Sequence, residues 1–143
     1  MKELEQLVYA RLIADSGLTT MLGGATHVLH GFERQIPKGG DYLTFQIYSG
    51  GPGSLTGDFA RSLEIFVQFN IYSKSYATIG NRLRLLFDGY RFDVPTNYTD
   101  VGAVRGLYDF EGPDGYDESL EVQSKVLRFR FLVTPKAASP ITA

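Results

Sequence analysis

Residues 63–73, reading LEIFVQFNIYS, constrain the fold more than any other part of this chain. Leu63, Ile65, Val67, Phe69 and Ile71 alternate with Glu64, Phe66, Gln68, Asn70 and Tyr72. Successive side chains of a strand point to opposite faces, so the pattern predicts a long strand with one wholly apolar face. The other face is mixed, neither plainly solvated nor plainly core.

A second alternating run lies at residues 42–48, YLTFQIY, with Leu43, Phe45 and Ile47 facing inward and Tyr42, Thr44, Gln46 and Tyr48 facing outward. Between the two runs, residues 49–58 hold four glycines and a proline, which predicts a flexible connection between antiparallel strands. Leu4, Leu7, Val8, Arg11 and Leu12 recur at helical spacing, so residues 2–15 read as an amphipathic helix with Gly17 as its stop. Residues 18–22 supply one further turn before the Gly23-Gly24 break, and residues 27–32 a short strand. A second helix is expected from Ser73 or Ser75 to Gly89, with Tyr76, Ile79, Leu83, Leu86 and Phe87 inward and Arg82 and Arg84 outside.

Residues 91–100 read as loop, 101–111 as a poorly alternating strand, and Gly112-Pro113-Asp114-Gly115 as a turn. In the last strand Leu120 and Val122 share one parity, whereas Leu127, Phe129, Phe131 and Val133 share the other. A β-bulge near Lys125-Val126 accounts for such a change. Hairpins dominate this order. The expected fold is α+β: a mostly antiparallel sheet with two long strands and about two helices packed on one face. One domain over residues 1–134 and a flexible tail over 135–143 are expected.

Composition narrows the function classes. The 143 residues suit one domain, and a net charge of −2 argues against a protein that neutralises many DNA phosphates. The absence of cysteine removes disulfides, thiolate metal sites and thiol nucleophiles. The N-terminus carries acids among its apolar residues, so it reads as neither a signal peptide nor a membrane span, and the product is expected in the cytoplasm where it is made.

A search for catalytic chemistry ends without named residues. His27 and His30 on a strand would point to opposite faces, poor geometry for a shared metal. Gly53-Ser54-Leu55-Thr56-Gly57 misplaces its serine for a nucleophile elbow and lacks the lysine of a phosphate loop. Asp109, Glu111, Asp114, Asp117, Glu118 and Glu121 cluster around the second turn without the spacing of a calcium loop, and read as a solvated hairpin tip. No cofactor, metal or membrane partner is expected, and the chain does not read as an enzyme.

Two features call for a role: the aromatic outer face of Tyr42, Tyr48, Phe66 and Tyr72, and the long loops at 49–58 and 91–100. The outer face is either an interaction surface or is covered by the second helix or the C-terminal tail.

The order of segments resembles a known family. A helix runs into Leu18-Thr19-Thr20-Met21-Leu22-Gly23-Gly24; a short strand and Ile36-Pro37 follow, then a strand opening Tyr42-Leu43-Thr44-Phe45. The E-x-x-V-Q-x-x-x-Y-S run from Glu64 to Ser73 leads directly into a helix containing Asn81-Arg82-Leu83. This pattern, over residues 2–90, resembles the tail-terminator (tail-completion) proteins of long-tailed bacteriophages and related minor tail and neck components. The resemblance implies a virion structural protein that forms a homo-oligomeric ring, typically a hexamer, at the head-proximal end of the tail tube. Such a ring ends tube polymerisation and offers a docking surface to the head-completion or connector protein.

On that reading Tyr42, Tyr48, Phe66 and Tyr72 form the subunit interface. Gly51, Pro52, Leu55, Arg91, Phe92 and Tyr98 lie on loops that meet tube or connector. Asp114, Asp117 and Glu118 line a lumen through which DNA passes without specific binding. A head-side neck or connector protein, and a small-ligand-binding α+β domain, are the competing readings.

Overall fold

The computed structural model describes residues 2–31, 37–52 and 63–136, with the backbone alone for 49–52. Among these are three α-helices, α1 (Lys2–Ala14), α2 (Ser16–Leu22) and α3 (Tyr76–Phe87). Six strands accompany them: β1 (Val28–His30), β2 (Tyr42–Pro52), β3 (Leu63–Tyr72), β4 (Val101–Glu111), β5 (Gly115–Asp117) and β6 (Val122–Pro135). They form one sheet in the order β1-β2-β3-β6-β4, with β5 paired to the start of β6. Every pairing is antiparallel except β1 with β2, so the α+β expectation holds.

β3 occupies the centre, as its alternation requires. Its Ile65, Val67, Phe69 and Ile71 are buried together with Leu43 and Phe45 of β2 and Leu127, Phe129, Phe131 and Val133 of β6. The helices close this face with Leu4, Leu7, Val8 and Leu12 from α1 and Ile79, Leu83 and Phe87 from α3. Phe69 sits in the middle of an aromatic set, its ring centroid 5.3 Å from Phe87 and 5.6 Å from Phe129. Gly106 of β4 lets α3 approach the sheet: a Cβ there would lie 2.5 Å from the Phe87 carbonyl oxygen.

Several sequence expectations are corrected. Gly17 does not stop the first helix. It lies inside α2, because the Asp15 side chain accepts the Leu18 N–H at 2.9 Å and starts a new helix one residue after α1 ends. Gly23, in the left-handed region at φ 88°, is the residue that terminates.

No bulge occurs at Lys125-Val126, since β3 and β6 pair without a register shift from Leu63↔Val133 to Tyr72↔Ser124. Val122 is buried on the opposite side of the sheet from Leu127, and Leu120 lies in the preceding turn. The parity change therefore records apolar residues on both faces. The register shifts that do occur lie at Ser49/Gly51 in β2 and at Val101/Ala103 and Tyr108/Phe110 in β4.

The helix after β3 begins at Tyr76 with Ser75 as its N-cap, but the Ser75 side chain makes no cap bond. The Ser73 hydroxyl instead accepts the Ser75 N–H at 3.0 Å and donates to Asp41 at 2.7 Å. β1 spans only three residues, and Phe32 of its expected extension lies outside the described residues. At the other end β6 runs through Thr134 to Pro135, which pairs with Val101.

Candidate functional site: the helix-free face of the sheet

With every helix among the described residues on one side, the other side of the sheet is built from alternate residues of β2, β3, β6 and β4. The register sets Tyr42 directly opposite Tyr72, Thr44 opposite Asn70, Gln46 opposite Gln68 and Tyr48 opposite Phe66. The four aromatics singled out in the sequence thus come together as two cross-strand pairs at the two ends of one face. The second helix packs on the opposite side and does not cover them, and the tail after residue 136 lies outside the described residues.

Side-chain hydrogen bonds link the two ends. Gln68 Nε2 donates to Asn70 Oδ1 at 3.1 Å, and Asn70 Nδ2 donates to Thr44 Oγ1 at 3.2 Å. Thr44 is 2% and Asn70 8% exposed, so this middle section is closed and satisfied rather than waiting for a partner.

The two ends differ. At the Tyr42 end, His27 stacks on the Tyr42 ring at 4.2 Å while its Nδ1 meets the Asp41 carbonyl at 2.8 Å. The Gly39 N–H reaches Leu120 O at 2.7 Å, and Lys38 pairs with Glu121 at 3.7 Å. The segment before β2 is thereby tied to the turn before β6. Burial, aided by the negative charge of Asp117, raises the Tyr72 phenol above its usual pKa.

Among the described residues the Tyr48 end is open. Tyr48 is 39% exposed and lies 5.8 Å from the Phe66 ring. The Arg128 guanidinium sits 4.6 Å over Phe66 and 5.6 Å from Phe110, itself 49% exposed, and its Nε donates to Asp109 at 2.7 Å. Arg130 meets Glu64 at 3.4 Å beside it. Aromatic rings around a paired arginine are the side chains that dominate protein–protein contact energy. Sequence reading missed Arg128, Arg130 and Phe110. Their outward parity in the last strands was readable, but their neighbours are set only by cross-strand register.

The predicted loop residues divide. Gly51 and Pro52 belong to the end of β2, opposite Glu64 and Leu63, and Leu55 lies outside the described residues. Residues 91–100 are tied down. Phe92 packs on Phe131 at 5.6 Å and Phe87 at 6.0 Å, and Tyr98 rests against the core. The Glu3 carboxylate of α1 accepts the N–H groups of Thr99, Asp100 and Val101 at 2.9, 3.0 and 2.9 Å. Desolvation beside the loop works to raise the Glu3 carboxyl, but these bonds and the Thr99 hydroxyl outweigh it and hold it below the usual carboxylate range. Lys136 Nζ binds the Thr96 and Tyr98 carbonyls from the other side. Of the predicted loop set, Arg91 stays exposed.

The acidic run is largely an ion-pair lattice. Lys125 binds Asp114 at 2.7 Å and Glu111 at 3.2 Å, and Arg84 binds Glu111 at 2.9 Å. Hydrogen bonds from Lys125 first, then Tyr76, lower the Asp114 pKa; the Ser119 hydroxyl and Leu120 N–H do the same for Asp117. Glu118 is exposed. Among the described residues no group of three or more His, Cys, Asp and Glu is arranged to hold a metal ion. A cavity of about 330 Å³ lies between α3 and the sheet, lined by Tyr76, Gly80, Asn81, Arg84, Glu111 and Lys125. Its charged groups satisfy one another.

A solved structure shares this fold. It is a chain described as the virion of a native gene transfer agent particle, matched with TM-score 0.63 and 16% identity over 93% of this chain and 95% of that one. No family model and no curated protein matches the sequence. At this identity the likeness is one of fold, and it spans most of both chains.

Proposed function

We propose that this chain is a structural subunit of a phage-like virion, and more specifically a tail terminator: a ring that caps the head-proximal end of the tail tube. The observation that carries the reading is the end-to-end likeness of fold to a virion component. The partly exposed Tyr48–Phe66–Arg128–Phe110 cluster supports it, because a subunit of a ring needs a surface that another subunit covers. The ring is a homo-oligomer, typically sixfold, with the tail tube protein on one side and the head-completion protein on the other. A heterologous contact that closes on itself explains how such a subunit stops growth: it binds the last tube layer and presents no second copy of that layer's surface.

Purified protein added to growing tail tubes tests this. A terminator binds the tube end and fixes tube length. Binding to filled heads and not to tubes would assign the chain to the head-side neck instead. The cavity beside α3 supports no ligand-binding reading, since Arg84, Lys125, Glu111 and Asp114 are already paired around it.

A further inference from the structure

Among the described residues the helix-free face carries four arginines that are scattered in sequence: Arg91, Arg105, Arg128 and Arg130. Glu64 and Asp109 neutralise the last two. Arg91 and Arg105 stand directly opposite each other across an antiparallel bridge, both exposed, and neither forms an ion pair among the described residues. Like charges at such a position repel, and a carboxylate seated between them turns that repulsion into two charge-assisted contacts.

The far end of β6 carries the complement. The β5–β6 hairpin presents Tyr116, 57% exposed, and Glu118, exposed and without an ion pair among the described residues. Glu118 precedes Val122, whereas Arg105 lies opposite Leu132. Ten residues of strand separate those positions, roughly 33 Å at 3.3 Å per residue. The corner cannot reach the arginines of its own chain.

We infer that the Tyr116–Glu118 corner of one copy docks on the Arg91/Arg105 end of the helix-free face of the next. Glu118 sits between the two guanidiniums, and Tyr116 lies on the apolar strip of Leu107 and Phe110. Donor and acceptor are different surfaces, so the contact is head-to-tail and generates a ring when its rotation closes. A nucleic-acid backbone fits the arginines less well. Glu64 and Asp109 on the same face repel phosphates, and two unpaired cations fall short of the several phosphate contacts that hold a polyanion. The inference rests on the assembly reading above and adds the partner surface to it.

Because the chain contains no cysteine, engineered cysteines are unique. Chains carrying Arg105→Cys are mixed with chains carrying Glu118→Cys and oxidised. The mixed disulfide is expected to dominate over both same-site disulfides. In sedimentation, Arg105→Glu is expected to weaken self-association at least about ten-fold, and mixing it with Glu118→Arg chains to restore it. Both sites are exposed, and an unchanged circular dichroism spectrum confirms that the variants fold. Oligomers of unchanged mass with Arg105→Glu would overturn this contact and leave the assembly reading standing. Same-site disulfides as abundant as mixed ones would overturn it too. Duplex DNA binding by the parent chain that Arg105→Glu removes would assign the arginines to nucleic acid. A chain that stays monomeric at every concentration and forms no mixed disulfide would sink both readings.

Discussion

Phe66 and Phe69 lie three residues apart on β3 and face opposite sides of the sheet, so truncating each to alanine weighs the two faces against each other. Phe69 is fully buried, with Phe45, Phe87 and Phe129 around its ring. Removing a buried phenylalanine costs about 3–5 kcal/mol in lost transfer energy and residual cavity. Three aromatic neighbours hold the site open and place Phe69→Ala in the upper part of that range. A domain of this size is stable by about 5–15 kcal/mol, so the variant loses about a quarter of its stability or more. At about 3 °C per kcal/mol the melting temperature falls by roughly 10–15 °C. Phe66 is half-buried, and Phe66→Ala gives up one aromatic pair and one cation–π contact, together about 1–2.5 kcal/mol. Urea unfolding followed by circular dichroism, at protein concentrations low enough to keep the chain dissociated, measures both. Equal losses, or a larger loss from Phe66→Ala, would show that the helix-free face is core and would refute the reasoning.

Three further outcomes follow from the packing and the hydrogen bonds. Gly106→Ala forces a methyl into the Phe87 carbonyl and should cost about 1–3 kcal/mol by the same denaturant assay. In Glu3→Gln the Thr99, Asp100 and Val101 amides lose their carboxylate acceptor, so hydrogen exchange should accelerate at those three sites while β3 stays protected. The Arg82 hydrogen bond above all holds the Asp15 pKa below its usual value, with the Leu18 N–H assisting. A carboxyl depressed in the folded state contributes stability that is present above its unfolded pKa, about 3.9, and lost as the pH falls through the folded value. Acid titration of Asp15→Asn should therefore show lower stability at pH 7 and a shallower loss below about pH 4 than the parent chain.

What the sequence disclosed and what it hid divide along a physical line. The β3 core face, the Tyr42–Tyr48 alternation and the α3 stripe were legible because periodicity is a local property. The aromatic outer face was visible for the same reason. Gly17 misled because a glycine after a helical run usually ends it, whereas Asp15 had already capped the next helix and Arg82, distant in sequence, fixed its carboxylate. The supposed bulge misled because Val122 is buried on one side and Leu127 on the other, a situation that parity alone cannot separate from a slipped register. Arg91 was singled out only as a loop residue, and its pairing with Arg105 was out of reach. Nothing local marks two arginines fourteen positions apart as cross-strand partners; the bridge between them makes the patch. Likewise, the long loop at 91–100 carried no sign that a glutamate near the N-terminus would pin its backbone.

The central claim is that the helix-free face is buried by another subunit, and the mass of the assembly tests it most directly. Light scattering on the parent chain, concentrated or presented with tail tubes, should report a closed oligomer. Phe66→Lys should give a monomer with an unchanged circular dichroism spectrum, because a lysine there is tolerated by solvent and rejected by a neighbour's surface. An oligomer of the same mass, or a chain that no longer folds, would contradict the account.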